Sequence, residues 1–426
     1  MAQLFVITIH LLLFGLQILL VPLWYLLGIF SSKVRKRLVF ERMRQSTSTD
    51  RADLSFEISS QGELEQVAPL ITDSLKSGLI VQLLYSSPSL NEVIIKMEKQ
   101  WPLQLFWKRL PLLTLFPLNT PFTSNSWSWL KAPRLFFCRY DFFPELVLLA
   151  KLKGAFLFSA TLKNKALSGF AGFYHRGLYS LFERIYTASP MDVERFKSLG
   201  IKSNIDFYDF RQIQILRRLD HQMETLRPLE KLLEVYSRDQ RLMMGSCWPF
   251  EMSVFESPQL KEDIAQQKIA LVLAPHKLGE DFLAELLVEA RRYIPDLSPT
   301  IIHRDGRVEL GKDSSVIISL LPGVLCEAYS LVDHTFVGGG HGRSVHSLLE
   351  PWLAGCEVYC GPKTHRSTEY DLIFAQRPDM IHIVEDPSHL YQTFLESKMK
   401  EVLLDTEMLK KNLNEKYCKI MDEFNA

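Results

Sequence analysis

The amino-acid sequence predicts an α/β protein with two doubly wound domains behind an N-terminal membrane helix. Two long runs of the chain alternate short apolar strands with amphipathic helices, which is typical of parallel sheets. A charged helical stretch, residues 211–240, separates the two runs, and an uncharged segment begins the chain. The chain has 426 residues, 47% of them hydrophobic, so each run can form a domain of ordinary size with its own core.

Composition narrows the class of ligand. Lys and Arg together number 49, as do Asp and Glu, so the formal net charge is zero and no overall field attracts nucleic acid. The six cysteines show no zinc-like pairing, and Cys356 and Cys360 flank a predicted strand as small core residues. This usage indicates a reducing compartment. We therefore expect no nucleic-acid partner, no metal and no cofactor.

The N-terminal segment is the clearest physical signal. Residues 4–30 carry no Lys, Arg, Asp or Glu and are long enough to cross a bilayer. Six basic residues follow between positions 33 and 44, and the positive-inside rule puts such a flank in the cytoplasm. We therefore predict a single-pass anchor, residues 1–31, with the rest of the chain cytoplasmic. A cleaved signal peptide fits less well, because the run is longer than a secretory segment and no A-x-A-like site follows. A helix lying flat on anionic lipid is a second interpretation.

The first predicted domain spans residues 32–205. It opens with a strand at 54–58, an amphipathic helix at 63–76 and a strand at 79–84. Further strands are predicted at 134–138, 155–159 and 185–187. The aromatic stretch 101–129 lacks a clean period, and we interpret it as a partly exposed apolar patch or an irregular core loop.

The second predicted domain spans residues 206–405, and a C-terminal helix, 406–426, follows it. The charged stretch is predicted to be helical with a break at Pro228. Strands are predicted at 207–210, 241–245, 269–273, 300–303, 316–320, 335–337, 357–360 and 381–384. The two runs thus form two Rossmann-like halves, each of roughly 170 residues.

The most informative stretch is FVGGGHGRSVHSLLEPWLAGCEVYCGP, residues 336–362. A strand end runs into a glycine-rich turn at 338–342, a helix is predicted at 344–353, and a strand returns at 357–360. A glycine turn between a strand and a helix lets backbone N–H groups approach a phosphate at the positive end of the helix. The sequence therefore predicts a phosphate-binding turn here.

Two known phosphate motifs do not fit this turn. A P-loop needs G-x-x-x-x-G-K-[ST], whereas Gly338 to Gly342 is one residue too short and Arg343 replaces the lysine. A dinucleotide fingerprint needs G-x-G-x-x-G, and Val345 takes the place of its third glycine. Neither an NTPase nor a dehydrogenase is supported.

Polar residues on the predicted helix offer further ligands. His346 and Glu350 are four residues apart and would share one helix face. A carboxylate there can reach the hydroxyls of a ribose, or the two side chains can form a surface pair. A metal held by His341 and His346 is disfavoured, because no third ligand is spaced to join them.

In the first run, Ser60-Gln61-Gly62-Glu63 follows a strand and begins a helix. Glu63 is therefore predicted at the carboxyl end of a sheet, where doubly wound folds place their sites. A carboxylate there can take a proton from a sugar hydroxyl. The same spacing is also a capping box, in which Ser60 and Glu63 accept from each other's backbone N–H groups. Both interpretations stay open.

Charged residues follow two further strands. Arg139 and Asp141 come after the strand at 134–138 and can meet a charged sugar or each other. His276 and Lys277 follow the strand at 269–273, which is a natural place either for cations that face a phosphate or for a solvated loop.

Taken together, these stretches resemble the Kdo transferases, which add 3-deoxy-D-manno-octulosonic acid (Kdo) to lipid A precursors. The similarity covers most of the chain after the membrane segment, and the motifs occur in order. The family's S-V-G-E is similar to residues 60–63, its W-P stretch to 139–144, and its G-N-L-K-F-D to 203–208. Its S-T-H-x-G-E-E falls on 246–252, its P-R-H-P-E on 275–277, and its F-V-G-G-S with G-G-H-N-x-L-E-P on 336–351.

The resemblance implies a GT-B fold, in which two Rossmann-like domains face a cleft, and an inverting, metal-independent transfer from CMP-Kdo. It implies a lipid A precursor as acceptor, inner-membrane lipid as a partner, and a place at the cell inner membrane in lipopolysaccharide biosynthesis. Glu63 would be the general base. The donor would be bound by Ser246, His276, Lys277, Gly323, Gly338, Gly339, Ser344, His346, Ser347 and Glu350, and the acceptor sugar by Ser60, Gly62, Arg139 and Asp141.

Several polar positions depart from the family pattern. His276 stands where the family has arginine, Trp248 where it has histidine, and Ser347 where it has asparagine. The glycine turn is also one residue shorter. These changes leave a second hypothesis, in which the chain is a catalytically inactive or re-purposed membrane-anchored relative that acts as a binding or scaffold protein.

Overall fold

The computed structural model describes residues 1–42, 46, 49–111, 129–138, 142–163, 167–221, 223–365, 367–398 and 406–425. The predicted acceptor residues Arg139 and Asp141 lie outside this part of the chain, as do residues 112–128 of the aromatic stretch. The chain divides into two compact units. The first unit contains Met1–Arg211 and Met421–Ala426, and the second contains Gln212–Ile420.

Within its described residues, the first unit contains a seven-stranded parallel sheet. Its strands are β1 (Leu54–Ile58), β2 (Val81–Tyr85), β3 (Leu105–Arg109), β4 (Arg134–Cys138), β5 (Gly154–Ala160), β6 (Arg184–Thr187) and β7 (Asn204–Phe207). Their order in the sheet is β3-β2-β1-β4-β5-β6-β7. The chain therefore winds outward from β1 in one direction and from β4 in the other, and the carboxyl edge between these two strands is the topological switch point.

The described part of the first unit also contains helices on either side of the strands in sequence. They are α1 (Ala2–Phe30), α2 (Ser32–Arg42), α3 (Gln61–Lys76), α4 (Asn91–Gln100), α5 (Pro144–Leu152), α6 (Gly169–Tyr179) and α7 (Pro190–Ser198). In α3 the buried side chains include Leu64, Val67, Leu70 and Leu75, which recur at the spacing of one helix face. This packing fixes the first turn of α3 beside the end of β1.

The second unit contains an eight-stranded sheet among its described residues. Its strands are β8 (Arg241–Cys247), β9 (Ala270–Pro275), β10 (Pro299–Ile302), β11 (Val308–Glu309), β12 (Asp313–Ser319), β13 (His334–Val337), β14 (Glu357–Cys360) and β15 (Ile381–Ile383). Their order is β11-β10-β12-β9-β8-β13-β14-β15. Only β11, which pairs with β10, is antiparallel among these strands. The switch point lies between β8 and β13, next to Ser246 and Gly338.

Helices of the second unit begin at the boundary between the units. They are α8 (Arg211–Leu219), α9 (Arg227–Leu233), α10 (Pro258–Ala265), α11 (Glu280–Tyr293), α12 (Leu325–Ala328), α13 (Leu349–Leu353), α14 (Thr368–Gln376), α15 (Leu390–Lys398) and α16 (Thr406–Asn425). The break in the charged stretch comes before Pro228, which lies in the first turn of α9. A proline is tolerated there because its missing N–H would have no partner within the helix.

Two predicted elements are wrong in position. The strand predicted at 207–210 is Asn204–Phe207, and the helix predicted at 344–353 is Leu349–Leu353. Within the aromatic stretch, Leu105–Arg109 forms β3, in which Trp107 is buried, whereas Leu103 just before it is 83% exposed. The prediction of two doubly wound α/β sheets is confirmed.

The N-terminal helix α1 packs its first turns on α5 and α6 of the first unit. The side-chain amide of Gln3 donates to the carbonyl of Ser180 at 2.7 Å, and Val6 is fully buried. Gly177 permits this approach, because a Cβ there would lie 2.3 Å from the carbonyl oxygen of Ala2. By length and hydropathy, no single helix in the described ranges qualifies as a membrane span. The segments Ala2–Gln17 and Leu19–Phe30 qualify only together, with a bend of 44° between them.

The last turns of α16 belong to the first unit. The ring of Phe424 packs edge-on against Phe136 and Phe156, with ring centroids 4.9 and 5.4 Å away. Glu423 pairs with Arg184 of β6 at 2.6 Å. These contacts cover an aromatic face of the first sheet.

Candidate active site

Glu63 lies in the first turn of α3, directly after β1 at the switch point of the first sheet. Its backbone N–H donates to the hydroxyl of Ser60 at 3.3 Å, as the capping box predicts. Its carboxylate Oε2 accepts the backbone N–H of Ser59 at 2.6 Å, however, instead of that of Ser60. The residue is 7% exposed. One backbone donor therefore fixes the direction of a largely buried carboxylate at the edge where ligands bind in such folds.

The other predicted acceptor residues in the described part of the chain, Ser60 and Gly62, show no comparable orientation toward a ligand. Ser60 uses its hydroxyl as the helix cap. Gly62 has no heavy atom within 4 Å of the position that a Cβ would take, so packing does not require a glycine there.

In the second unit, the glycine turn begins where two chain segments touch. A Cβ on Gly338 would lie 2.3 Å from the carbonyl oxygen of Ser246, and Gly339 has a φ of +91°. Neither position therefore accepts a side chain without displacement of the backbone. Ser246 also has a positive φ, of 52°. The ends of β8 and β13 thus meet in close backbone contact.

Glu251 ties these two ends together. It is fully buried, and its Oε1 accepts the N–H of Gly339 while its Oε2 accepts the N–H of Trp248, each at 2.8 Å. His341 Nδ1 lies 3.8 Å from Oε1. A buried carboxylate with two backbone donors is well satisfied. Glu251 therefore holds the glycine turn against the segment that follows β8.

The predicted phosphate site at a helix N-terminus near Ser344 is not present. Helix α13 begins at Leu349 and has only five residues. Its first N–H groups are already bonded, because Glu369 Oε2 accepts from Leu348 at 2.7 Å and from Leu349 at 3.1 Å. The hydroxyl of Ser347 donates to the same oxygen at 3.2 Å. The positive end of this helix is therefore neutralised by the chain's own carboxylate.

Three aromatic rings gather beside the glycine turn. His276 stacks on Trp248 and on His346, with centroids 4.5 and 4.3 Å apart. The indole Nε1–H of Trp248 donates to Nε2 of His346 at 3.1 Å. Since an indole nitrogen can only donate, this bond requires a neutral His346. Lys277 Nζ lies 5.8 Å from the ring of Trp248, which places an ammonium at the edge of the stack.

Two cavities flank this ring stack. The first, of about 150 Å³, is lined by Ser246, His276 and Gly323 together with apolar side chains. The second, of about 450 Å³, is lined by Trp248, Phe250, Gly339, Gly342, Arg343, Ser344 and His346. The structure thus brings most of the predicted donor residues to one edge of the second sheet.

Glu350 is placed differently from its prediction. Because α13 starts at Leu349, Glu350 and His346 do not share a helix face. Glu350 lies 3.8 Å from the guanidinium of Arg218, which also donates to both carboxylate oxygens of Glu327 at 2.8 Å and to the carbonyl of Gly323 at 3.2 Å. Arg218 therefore connects Glu350 to the loop that lines the smaller cavity.

Several of these residues carried no local signal in the sequence. Glu369 and Arg218 act on residues 20 or more positions away, and no motif marks them. Glu251 was visible only as a matched position of the S-T-H-x-G-E-E stretch. Within the described ranges, no group of three or more His, Cys, Asp or Glu side chains is arranged to hold a metal ion.

The two histidines of the ring stack, His276 and His346, have lowered pKa values. Partial burial, and then the Lys277 ammonium, lower the pKa of His276. Burial, and then His276 itself, lower the pKa of His346. Both effects disfavour the charged imidazolium, so the ring stack is neutral at pH 7.

This stack should make stability depend on pH. Because both folded-state pKa values lie below the unfolded value of about 6.5, the unfolded chain takes up protons first as the pH falls. We expect these groups to lower the free energy of unfolding progressively below about pH 6.5 and to have no effect above it. Urea unfolding across this range would measure the slope. His346→Gln should flatten it, whereas His221→Gln, at an exposed histidine, should not. An unchanged slope in His346→Gln would contradict the assignment.

Two mostly parallel, doubly wound sheets, each with polar residues at its switch point, define a protein of GT-B architecture. UDP-GlcNAc 2-epimerase from Neisseria meningitidis, solved with UDP-GlcNAc bound, has a similar fold. It is 11% identical, covers 85% of this chain and 100% of its own, and superposes with a TM-score of 0.50. A glycosyltransferase from Rickettsia africae ESF-5 is 10% identical over 88% of this chain and 99% of its own, with a TM-score of 0.47.

A match to a family model assigns the chain more closely. Residues 32–208 match the family described as 3-deoxy-D-manno-octulosonic-acid transferase (kdotransferase). This match confirms the resemblance seen in the motifs: over these residues the chain is similar to the Kdo transferase family of glycosyltransferases. The C-terminal CMP-Kdo binding domain of WaaA from Acinetobacter baumannii is 16% identical over 46% of this chain and 98% of its own, with a TM-score of 0.35. No curated protein sequence matches this chain.

Proposed function

We propose that the protein transfers Kdo from CMP-Kdo to a lipid A precursor, as an inverting glycosyltransferase of lipopolysaccharide biosynthesis. One observation supports this proposal above all. Glu63 lies within the segment that matches the Kdo transferase family, and its carboxylate is fixed by a backbone N–H at the switch point of the sheet. A carboxylate oriented in this way is suited to take a proton from a sugar hydroxyl.

The proposed reaction is a single displacement. The acceptor oxygen forms a bond to the anomeric carbon of Kdo while the bond from that carbon to the phosphate oxygen of CMP breaks. The electron pair of the broken bond leaves with CMP, and the hydroxyl proton passes to Glu63. Attack from the face opposite the leaving phosphate inverts the anomeric centre. No metal takes part in this scheme.

Cations and backbone donors, not a helix terminus, would stabilise the leaving phosphate. Lys277 lies at the edge of the ring stack, and Arg343 lines the larger cavity. Among the described residues, the backbone N–H groups of Arg343 and Ser344 have no hydrogen-bond partner. Donors that already point into a site lower the energy of the charge that develops there.

The larger cavity offers chemistry that suits an acidic sugar nucleotide. The rings of Trp248, Phe250 and His346 form an apolar wall, and Arg343 supplies a fork of N–H donors. Such a fork can pair with a carboxylate or a phosphate in two parallel bonds. CMP-Kdo carries both groups.

Arg343→Gln is therefore expected to weaken donor binding. Loss of one charge-assisted contact should raise the KM for CMP-Kdo about tenfold, with a smaller change in kcat. Steady-state kinetics with varied CMP-Kdo would measure this. Arg304→Gln removes another exposed arginine of the same unit and should leave both constants unchanged. Equal KM values in the two variants would exclude Arg343 from the donor site.

The decisive experiment incubates the purified full-length protein with CMP-Kdo and a lipid A precursor. We expect a product that is heavier than the acceptor by one or more Kdo residues. The ring stack favours a second candidate, because two of its members, His276 and Trp248, stand where the family has arginine and histidine. Absence of both transfer and CMP binding, measured by calorimetry, would favour a re-purposed binding or scaffold protein.

We infer that the protein is attached to the cell inner membrane through α1. This inference is supported by the uncharged segment at 4–30 and the basic residues that follow it. Helix α1 would either span the membrane or lie on its surface. Membrane fractionation tests the attachment. We expect the chain in the membrane pellet and its release by detergent but not by high salt. Recovery in the supernatant without detergent would contradict it.

A further inference from the structure

Glu57 is a buried carboxylate that the proposed reaction does not use. It lies in β1, is 1% exposed, and is paired in register with Leu84 of β2 and Phe137 of β4. An ionisable group in the middle of a parallel sheet costs stability unless its polar atoms are satisfied. Lys108 of β3, 3% exposed, lies in the same row beyond Leu84. The site of Glu57 therefore requires an explanation beyond packing.

A single residue connects Glu57 to the proposed base. The hydroxyl of Ser59 donates to Glu57 Oε1 at 2.9 Å. The backbone N–H of the same Ser59 donates to Glu63 Oε2 at 2.6 Å. Ser59 lies between β1 and α3, outside both elements. Its side chain is thus held by one carboxylate while its peptide N–H directs the other.

We propose that Glu57 is a positioning residue for Glu63. By accepting the Ser59 hydroxyl, Glu57 fixes the peptide whose N–H aims the carboxylate of Glu63. This inference rests on the proposed role of Glu63 as general base. When a general base is misplaced by about 1 Å, the reaction rate can fall on the order of 100-fold. The hydrogen bond between Glu57 and Ser59 can therefore control the rate through the position of Glu63, although Glu57 does not touch the substrate.

Four variants of the full-length chain test the link, with CMP-Kdo and a lipid A precursor as substrates. Glu57→Ala and Ser59→Ala each remove the same bond but keep the Ser59 N–H. We expect each to lower kcat between about tenfold and 100-fold while the KM for either substrate stays within about twofold. Glu57→Gln keeps an oxygen acceptor and should retain the wild-type rate within about threefold. The double variant Glu57→Ala with Ser59→Ala should be no slower than the single ones.

A matched control separates positioning from general stability. Ser55 is a buried serine of β1, and no hydrogen bond connects its side chain to Glu63. Ser55→Ala should therefore keep the wild-type kcat. A loss in Ser55→Ala as large as that in Ser59→Ala would overturn the inference, as would additive losses in the double variant or a failure of Glu57→Gln to restore the rate. If Glu57→Ala does not fold, Ser59→Ala and Glu57→Gln decide the question.

Adding Glu57→Ala to the Glu63→Gln variant distinguishes this inference from the proposed function. The second substitution should cause no further loss in the residual kcat, because the carboxylate that Glu57 positions is already gone. A further loss would overturn the positioning role alone. A wild-type rate in Glu63→Gln itself would instead remove Glu63 as the base, whatever Glu57 does.

Discussion

Glu63→Gln is expected to lower kcat by roughly 100-fold to 10,000-fold, because the amide cannot take the proton of the acceptor hydroxyl. The amide oxygen can still accept the N–H of Ser59, so the first turn of α3 should keep its structure. The KM values for CMP-Kdo and for the lipid acceptor should change little, since the variant removes a group that acts in the transition state. Initial rates of Kdo transfer would measure the effect.

The matched control for this variant is Glu65→Gln. Glu65 lies on the same helix, is exposed, and contacts Gln61, so its substitution changes the same charge without touching the switch point. We expect the wild-type rate for Glu65→Gln. A Glu63→Gln enzyme with undiminished kcat would refute the assignment of the base.

Glu251→Ala is expected to destabilise the second unit by about 2–4 kcal/mol. The side chain is fully buried and accepts the N–H groups of Gly339 and Trp248, and its removal leaves both donors without an acceptor in the interior. Glu251→Gln keeps one acceptor oxygen and should be intermediate. Equilibrium unfolding in urea would measure the difference in the free energy of unfolding.

Glu251→Ala should also weaken CMP binding, because the glycine turn loses the carboxylate that holds it against the segment after β8. Glu256→Ala, in the same short 3₁₀ segment but exposed, should change stability by less than about 0.5 kcal/mol. If Glu251→Ala unfolds at the same urea concentration as Glu256→Ala, then Glu251 does not hold the turn.

Strands were predictable wherever their signals were local. β1, β4 and β14 match their predicted bounds: apolar and polar residues alternate along β1, and β4 and β14 each consist of a short apolar run after one charged residue. β3 was not predicted, since its sequence, Leu105–Arg109, ends in two charged residues, both of which turn out to be buried. β11 has two residues, too few to show any period.

The early start of the predicted helix at Ser344 has a physical cause. Val345, Leu348, Leu349 and Trp352 are spaced as on one helix face, and all four are buried. The same burial is reached by an irregular segment that places His346 against Trp248, and Glu369 then caps the helix at Leu349. Sequence periodicity reports which side chains are buried, not which backbone conformation buries them.

Long-range polar contacts limit how much of the candidate site could be predicted from the sequence. The capping residue Ser60 was visible from its spacing to Glu63, because both lie in one helical turn. The bond from Glu63 to Ser59, and that from Ser59 to Glu57, depend on how β1 enters α3. The contact of Glu350 with Arg218 joins residues far apart in the chain, and only the folded chain shows it.

The position of Phe424 near the end of the sequence determines when the first unit can complete its packing during translation. The first unit is made of two separate pieces of chain, and the second piece is translated only after every residue of the second unit. Until then, the aromatic face formed by Phe136 and Phe156 lacks the ring that covers it. The N-terminal sheet is therefore expected to acquire its final packing only after the whole second unit has been synthesised, in contrast to the usual progression of domains along a nascent chain.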